Sequence, residues 1–348
     1  MRSHIRTLIV IALAAGLLAL FLYNVDLRGV VSQIIHASPI WLILSLAMTF
    51  LSLVVRAWRW QYLLAPMGTP SFSNAFQATA VGFAASAVLP ARAGEVIRPY
   101  FLARRERRPS LSATSAFATI ILERLLDMLA VLVLLAVYVF FFRPVVTESN
   151  ATAFQAVKWA GATAGLGAMS VLVVLFVLAG NPARLGQTMA RLGRVLPSAF
   201  VKLLAQVAEK FASGLAVVRS PGRLIVALIL SFPLWLVIGA GTWAASIAFH
   251  LAVPFAGSFL LIALLVVGVA LPTPGAVGGF HAMFKYGVTT FFGASDDAAV
   301  GAAIVLHLMT VAPSLLLGLL FAAQEGLNIS GMREIADHSQ PDGTPVKS

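Results

Sequence analysis

Long apolar runs separated by short polar stretches dominate the chain. A transmembrane helix needs about 20 consecutive apolar residues, and six runs reach that length. The pattern predicts spanning helices at 7–25, 40–58, 113–142, 156–179, 224–249 and 298–323. The first run follows Arg2 and Arg6 in the manner of a signal peptide, but its length favours a retained helix.

Two further apolar runs, 75–103 and 258–292, are interrupted near their middle. The first is broken at 89–95 (LPARAGE) and the second at 271–275 (LPTPG). Each half is about 13–17 residues long, too short to cross a bilayer alone. We therefore predict two re-entrant helical hairpins, each of which enters and leaves the membrane on one side.

The basic residues predict the orientation. With the N-terminus in the cytoplasm and both hairpins re-entrant, 18 of the 24 Lys and Arg residues fall on the cytoplasmic side, as the positive-inside rule requires. The outer loops hold only Arg28 and Arg143, and Lys158 lies at an outer helix end. The net charge of +11 is then mostly cytoplasmic surface charge facing anionic lipid rather than a nucleic-acid patch.

An internal repeat is also predicted. Shifted by 182 residues, span 40–58 falls on 222–240, and span 113–142 falls on 295–324. The same shift places the Leu-Pro break at 89–90 on the Leu-Pro break at 271–272. The copies, about 40–142 and 222–324, open from opposite sides, which makes an inverted repeat. Paired interrupted helices indicate the substrate site in transporters of that design.

These predictions together define an all-α integral membrane protein with six spanning helices and two re-entrant hairpins. Residues 1–326 form one polytopic domain, and both termini are cytoplasmic. The connection 181–223 suits a cytoplasmic amphipathic helix or a solvated linker helix equally well. The polar tail 327–348 is expected to be disordered.

Composition excludes several classes of protein. The chain is 60% hydrophobic and 11% charged, whereas soluble domains are roughly 45–50% apolar and about 25% charged. The absence of cysteine removes disulfides and thiolate chemistry. No Walker loop and no Gly-x-Ser-x-Gly occurs, so we expect neither a cofactor nor a catalytic centre. Lone histidines such as His250 and His307 do not form a metal site by spacing.

Charged residues fall inside the membrane at the first hairpin and the span after it. At 1.5 Å per residue, Glu123 lies about 15 Å deep, near the bilayer centre. Intramembrane charges are costly and indicate function. One interpretation is an ion-pair lock, and the other is a hydrated path in which Arg92, Arg98 or Arg124 meets a lipid phosphate. The candidate residues are Arg92, Glu95, Arg98, Glu123, Arg124 and Asp127.

The second hairpin supplies the opposing half of the candidate site. Its glycines permit tight turns, and a half-helix beginning near Gly278 presents N–H groups that favour an anion. The alternative is a simple helix break with Lys285 reaching outward. The candidate residues are Pro272, Pro274, Gly275, Gly278, His281 and Lys285. The stretch 56–60 (RAWRW) is interpreted as an anchor at the cytoplasmic interface, with a contact to a lipid phosphate as the alternative.

Four motifs in order resemble the lysylphosphatidylglycerol synthase transmembrane family. They are 56–64 (RAWRWQYLL), 89–98 (LPARAGEVIR), 123–127 (ERLLD) and 272–278 (PTPGAVG). The chain departs from the family pattern at Ala276, where glycine is common, and at His281, where glutamate is common. The family includes the flippase portion of bacterial multiple peptide resistance factors. Their aminoacyl-transferase domain is not recognised in these 348 residues, so lysyl-lipid synthesis is not expected here.

The resemblance implies translocation of a lipid between leaflets of the bacterial inner membrane. The expected partner is a phospholipid or a lipid of polyprenyl or hopanoid type. Assembly as a homodimer is a further possibility. Two alternatives remain at this stage. One is a membrane enzyme acting on a lipid phosphate, with Glu95, Glu123 or Asp127 as general acid or base. The other is a non-catalytic partner of a cell-envelope enzyme.

Overall fold

A computed structural model describes residues 26–89, 92–108, 110–142, 150–180, 211, 214–271 and 273–325. Every regular element in these ranges is helical. The helices are α1 (Leu27–Ile35), α2 (Pro39–Leu64), α3 (Phe72–Val88), α4 (Gly94–Glu106), α5 (Ala113–Phe141), α6 (Ala151–Gly180), α7 (Pro221–Ile229), α8 (Ser231–Ala248), α9 (Gly257–Ala270), α10 (Gly279–Phe292) and α11 (Asp296–Gln324). A short 3-10 turn at Ala65–Met67 follows α2, and another at Pro274–Ala276 lies between α9 and α10.

Four stretches of helix are long and apolar enough to cross a membrane: Pro39–Met67, Ala151–Phe176, Pro221–Ala248 and Asp296–Gln324. They coincide with four of the predicted spans. The protein is therefore a multi-pass helical membrane protein. The predicted span 7–25, the linker residues 181–210 and the tail 327–348 lie outside the described residues.

The predicted span 113–142 is helix α5, which has 29 residues. Ser112 precedes it, and its hydroxyl accepts a hydrogen bond from the Ser115 backbone N–H. This cap satisfies one of the free donors at the helix N-terminus. The helix then runs without a break through Glu123, Arg124 and Asp127, so it holds these three side chains at fixed positions.

Both interrupted runs form antiparallel helical hairpins. In the first, α3 packs along α4, with Asn74 Nδ2 donating to Glu106 Oε1 at 2.8 Å near the open end. Near the tip, a Cβ placed on Gly94 would overlap the Gly82 carbonyl. Glycine at this position is what lets the two helices approach so closely.

The second hairpin, α9 with α10, uses the same device. A Cβ on either Gly268 or Gly279 would overlap the carbonyl of the other residue. Its connection turns sharply because Gly275 and Gly278 adopt positive φ angles of 60° and 90°. Positive φ is strained for residues with a side chain, so these turns favour glycine.

The two hairpins lie against the long helices at the centre of the molecule. Helix α3 packs on α11, where a Cβ on Gly318 would overlap the Ala80 carbonyl, and α9 packs on α5. Helices α2 and α8 cross in close contact, with Ser45 Oγ donating to the Gly241 carbonyl at 2.8 Å. The 3-10 turn at the tip of the second hairpin packs on α3 near Ala87, so the tips of the two hairpins meet.

Candidate functional site

An inner charge cluster joins α2 to α5. Arg56 and Arg59 lie three residues apart on α2, and Glu123 and Asp127 lie four apart on α5, so each pair shares one helix face. Arg59 Nη1 contacts Asp127 Oδ1 at 2.6 Å, and Arg56 Nη1 lies 3.4 Å from both carboxylates. All four side chains are at most 9% exposed.

The first hairpin adds Arg98 to this cluster. Its Nη1 donates to both oxygens of Glu123, at 3.1 and 3.2 Å. The guanidinium also stacks on the Trp60 ring, 3.9 Å from the ring centroid. Trp60 is itself held by a 2.9 Å hydrogen bond from Nε1 to Thr119 Oγ1. The planar cation is therefore oriented by a carboxylate and an aromatic face together.

Helix α8 closes the inner cluster. Trp235 Nε1 donates to Asp127 Oδ1 at 2.9 Å, and Arg59 Nη1 donates to Ser231 Oγ at 2.7 Å. The inner cluster, defined as Arg56, Arg59, Arg98, Glu123 and Asp127, thus draws on α2, α4 and α5 and is braced by α8. Buried charges are tolerated where they are paired and hydrogen-bonded in this way.

A second group, the rim cluster, consists of Arg92, Glu95 and Arg124. Arg124 Nε lies 3.1 Å from Glu95 Oε1, and Arg92 Nη1 lies 3.6 Å from the same oxygen. Arg124 also reaches Asp127 at 3.7 Å, which connects the rim to the inner cluster. The three rim side chains are 29–40% exposed, so they are accessible where the inner cluster is not.

Arg92 links the two hairpins. Its Nη2 donates to the Val269 carbonyl on α9 at 3.0 Å. Its backbone has a positive φ of 54°, a conformation uncommon for a residue with a side chain. Such strain clusters at functional sites, where the surrounding structure holds it in place.

A cavity of about 220 Å³ opens beside the rim cluster. Both hairpins, α5 and α11 line it, and its polar residues include Arg92, Glu95, Arg98, Arg124, Thr273 and His307. Thr273 Oγ1 and two nitrogens of Arg98, Nε and Nη2, are buried without a hydrogen-bond partner in the described part of the chain. Buried polar atoms without partners call for an explanation, and a ligand in the cavity is one.

The two clusters together carry an excess of positive charge. Five arginines face three carboxylates, which leaves a formal charge of +2 over the described residues of the site. The five arginine–carboxylate contacts within the inner cluster do not remove that excess. The geometry therefore suits a ligand with a negatively charged group such as a phosphate.

The predicted residues of the second hairpin differ in whether they line the cavity. Gly275 lines the cavity, and its carbonyl is 2.7 Å from His307 Nε2. The His281 ring faces His307 with 4.5 Å between centroids, and its Nδ1 accepts from the Gly278 backbone N–H at 3.4 Å. Lys285 contacts Asp296 at 3.6 Å and does not line the cavity. Pro274 begins the 3-10 turn, and Pro272 lies outside the described residues.

The structure brings together Arg92, Glu95, Arg98, Glu123, Arg124 and Asp127, and it adds residues that sequence reasoning missed. Interface anchoring is wrong for Arg56 and Arg59, which are buried against the carboxylates of α5, although Trp58 is exposed. The available signal was two arginines at i, i+3 in one span and two acids at i, i+4 in another. His307 was also missed as a partner of His281 because the two lie on different helices.

This arrangement defines a multi-pass helical membrane protein with a positively charged, partly enclosed cavity between two helical hairpins. The family model described as "Lysylphosphatidylglycerol synthase TM region" matches residues 7–318. The chain belongs to that family, as its motifs predicted, and membership indicates a function related to membrane lipid. No curated protein matches the chain.

Proposed function

We propose that the protein moves an anionic lipid between the leaflets of the bacterial inner membrane. The observation that carries the proposal is the cavity beside the rim cluster, which is lined by three arginines, Arg92, Arg98 and Arg124, and by one carboxylate, that of Glu95. A lipid phosphate in this cavity would meet Arg92 and Arg124, whose side chains are accessible. Arginine suits the task because its planar fork binds phosphate oxygens in pairs.

The proposed topology has six spans, two re-entrant hairpins and cytoplasmic termini. Broken helices at membrane depth must be buried in protein or line a cavity, and both hairpin tips line this one. Chain halves repeated about an axis in the membrane plane would make the hairpins open from opposite sides. A headgroup held between the tips is then reachable from either leaflet.

Helix contacts support an inverted repeat. Exchanging the two copies of the repeat replaces α2 by α7 and α8, α3 by α9, α4 by α10, and α5 by α11, and the reverse. Under this exchange, the packing of α3 on α11 becomes that of α9 on α5, and the packing of α4 on α5 becomes that of α10 on α11. The contacts of α2 with α3 and of α8 with α9 exchange likewise, and the α2–α8 contact maps onto itself.

In this mechanism the two clusters have separate roles. The inner cluster fixes the first hairpin against α5 through Arg98 and Glu123. The rim cluster exchanges partners: the phosphate replaces Glu95 on Arg124 and Arg92, and it is released when the carboxylate returns. Such an exchange between charged partners keeps the arginines paired throughout. Since the sequence offers no Walker loop, movement is passive or coupled to an ion gradient.

The test is lipid movement in proteoliposomes containing phosphatidylglycerol or phosphatidylcholine with a fluorescent acyl chain. An impermeant reductant bleaches the outer leaflet, and the loss of the protected inner signal is followed. Wild type should accelerate that loss for the anionic lipid. Arg92→Gln should slow it about tenfold, the effect of losing one charge-assisted phosphate contact.

Arg108→Gln is the matched control. Arg108 is also an accessible arginine in an ion pair, 3.4 Å from Glu106, but it lies outside the cavity lining. It should transport like wild type. Wild-type rates equal to those of empty liposomes, with and without an imposed ion gradient, would contradict the proposal and favour the partner or enzyme alternatives.

A further inference from the structure

A second cavity of about 140 Å³ lies next to the charged one and is lined by α2, α3, α8 and α11. The two cavities share the lining residues Phe83, Thr310 and Ser314, so they adjoin each other there. Six hydroxyl side chains make up most of the polar lining of the second cavity. They are Ser45, Thr49, Ser52, Thr242, Thr310 and Ser314.

All six hydroxyls use their proton in the same way. Each donates to a backbone carbonyl at 2.7–3.2 Å; Thr242 Oγ1, for example, donates to Ile238 at 3.0 Å. A hydroxyl has one proton and two lone pairs, so each oxygen keeps its acceptor capacity. Among the described residues, none of the six oxygens accepts a hydrogen bond. The lining of the cavity therefore presents hydrogen-bond acceptors, which a ligand with hydrogen-bond donors would satisfy.

Charge decides which donors fit. Of the described residues that line this cavity, Arg56 is the one that carries charge, and the lining includes no carboxylate. Arg56 is buried and held by Glu123 and Asp127 on α5. A cation or an ammonium group would lie near this arginine without a carboxylate to pair with. Uncharged hydroxyl groups can donate to the wall without that repulsion.

We propose that the second cavity binds the uncharged, hydroxyl-rich part of a lipid headgroup, a sugar or polyol. This inference rests on the proposed function, since it assumes that the phosphate of the same lipid occupies the adjoining charged cavity. The protein then selects lipids by two features, an anionic phosphate and a cluster of hydroxyls next to it. An amine-bearing headgroup satisfies the first feature and not the second.

The test compares three short-chain lipids by calorimetric titration of the full chain in detergent. Dihexanoyl phosphatidic acid carries the phosphate alone, phosphatidylinositol adds a ring of hydroxyls, and phosphatidylethanolamine adds an amine. Wild type should bind the inositol lipid about tenfold more tightly than phosphatidic acid, a difference of about 1.4 kcal/mol. The ethanolamine lipid should gain nothing over phosphatidic acid.

The double variant Thr49→Val and Thr242→Val removes two acceptors with little change in volume. It should abolish the tenfold preference while leaving the affinity for phosphatidic acid unchanged. Thr163→Val is the matched control, because Thr163 also donates to a helix carbonyl, that of Trp159 at 2.9 Å, but lines neither cavity. If the double variant yields no folded protein, Ser52→Ala probes the same wall with a smaller change.

The outcomes separate the two proposals. Equal binding of phosphatidic acid and the inositol lipid by wild type would overturn the inference and leave the proposed function standing. A preference retained in the folded variants, or an equal loss of affinity for both lipids, would also overturn it. Failure of wild type to bind either lipid would count against the proposed function as well.

Discussion

The inner and rim clusters are built from the same residue types, yet they differ in accessibility. In the inner cluster, the side chains of Arg59 and Glu123 are 0% exposed and their charged partners come from three helices. In the rim cluster, Arg92 and Glu95 are 40% and 29% exposed and line a cavity. Burial therefore separates ion pairs that hold the fold together from ion pairs that are free to exchange with a ligand.

The comparison also unites the two interpretations of the intramembrane charges. The ion-pair lock describes the inner cluster, and the headgroup path describes the rim. A buried pair is costly to break because the remaining partner stays charged and unsolvated. An accessible pair is worth little because water or a ligand can replace either partner. The two clusters should consequently respond in opposite ways to substitution.

The largest expected effect is that of Asp127→Asn. Asp127 accepts hydrogen bonds from Arg59 and Trp235, at 2.6 and 2.9 Å, and also contacts Arg56. Removing its charge leaves buried arginines undercompensated, a loss of about 3–5 kcal/mol. We expect little monodisperse protein in detergent and a strongly lowered Tm. Asp296→Asn, at a carboxylate that is 48% exposed, is the control and should remain near wild type.

Arg98→Lys should have an intermediate effect. Lysine keeps the charge but cannot contact both oxygens of Glu123 while stacking on Trp60. We expect a loss of about 2 kcal/mol, seen as a lower Tm with folded protein still recovered. Arg105→Lys is the comparison, because Arg105 lies farther from its aromatic neighbour, at 5.7 Å from the Phe101 centroid. Equal shifts for both variants would argue against a special role for the stacked geometry.

Glu95→Gln should change stability by less than about 1 kcal/mol. The carboxylate is 29% exposed, and its contacts with Arg92 and Arg124 are screened by solvent. The Tm should match wild type at both low and high salt, while transport of the anionic lipid changes because the competing carboxylate is gone. A collapse as large as that of Asp127→Asn would show that the rim is structural and would remove the distinction between the clusters.

The smallest expected effect on stability is that of Arg92→Gly. Glycine adopts the positive φ of 54° without strain, which offsets the loss of an accessible ion pair and of the hydrogen bond to the Val269 carbonyl. We expect a free energy of unfolding within about 1 kcal/mol of wild type, together with transport slowed about tenfold, as for Arg92→Gln. Arg107→Gly, at a φ of 49° outside the cavity, should likewise keep a stability near that of wild type, and it should also keep wild-type transport. Normal transport by Arg92→Gly would exclude Arg92 from the lipid path.

The sequence by itself determined the helices, their breaks and the motif residues. An apolar run long enough to cross a bilayer is a local property, and so is a Leu-Pro interruption, which is why helices α2, α6, α8 and α11 and both hairpins coincide with the predicted segments. The charged residues of 92–98 and 123–127 were recognisable for the same reason, since charge at membrane depth stands out against its neighbours.

Only the tertiary structure decided which of these charges meet and which are accessible. Arg56 and Arg59 reach carboxylates that lie 64–71 residues away along the chain, and no periodic pattern within one helix encodes these contacts. His307 meets His281, and six hydroxyls from three helices meet in one cavity, through the same kind of long-range packing. Hydropathy gives the length of each helix. The packing between helices decides which face of each helix lines the site and how accessible its side chains are to water.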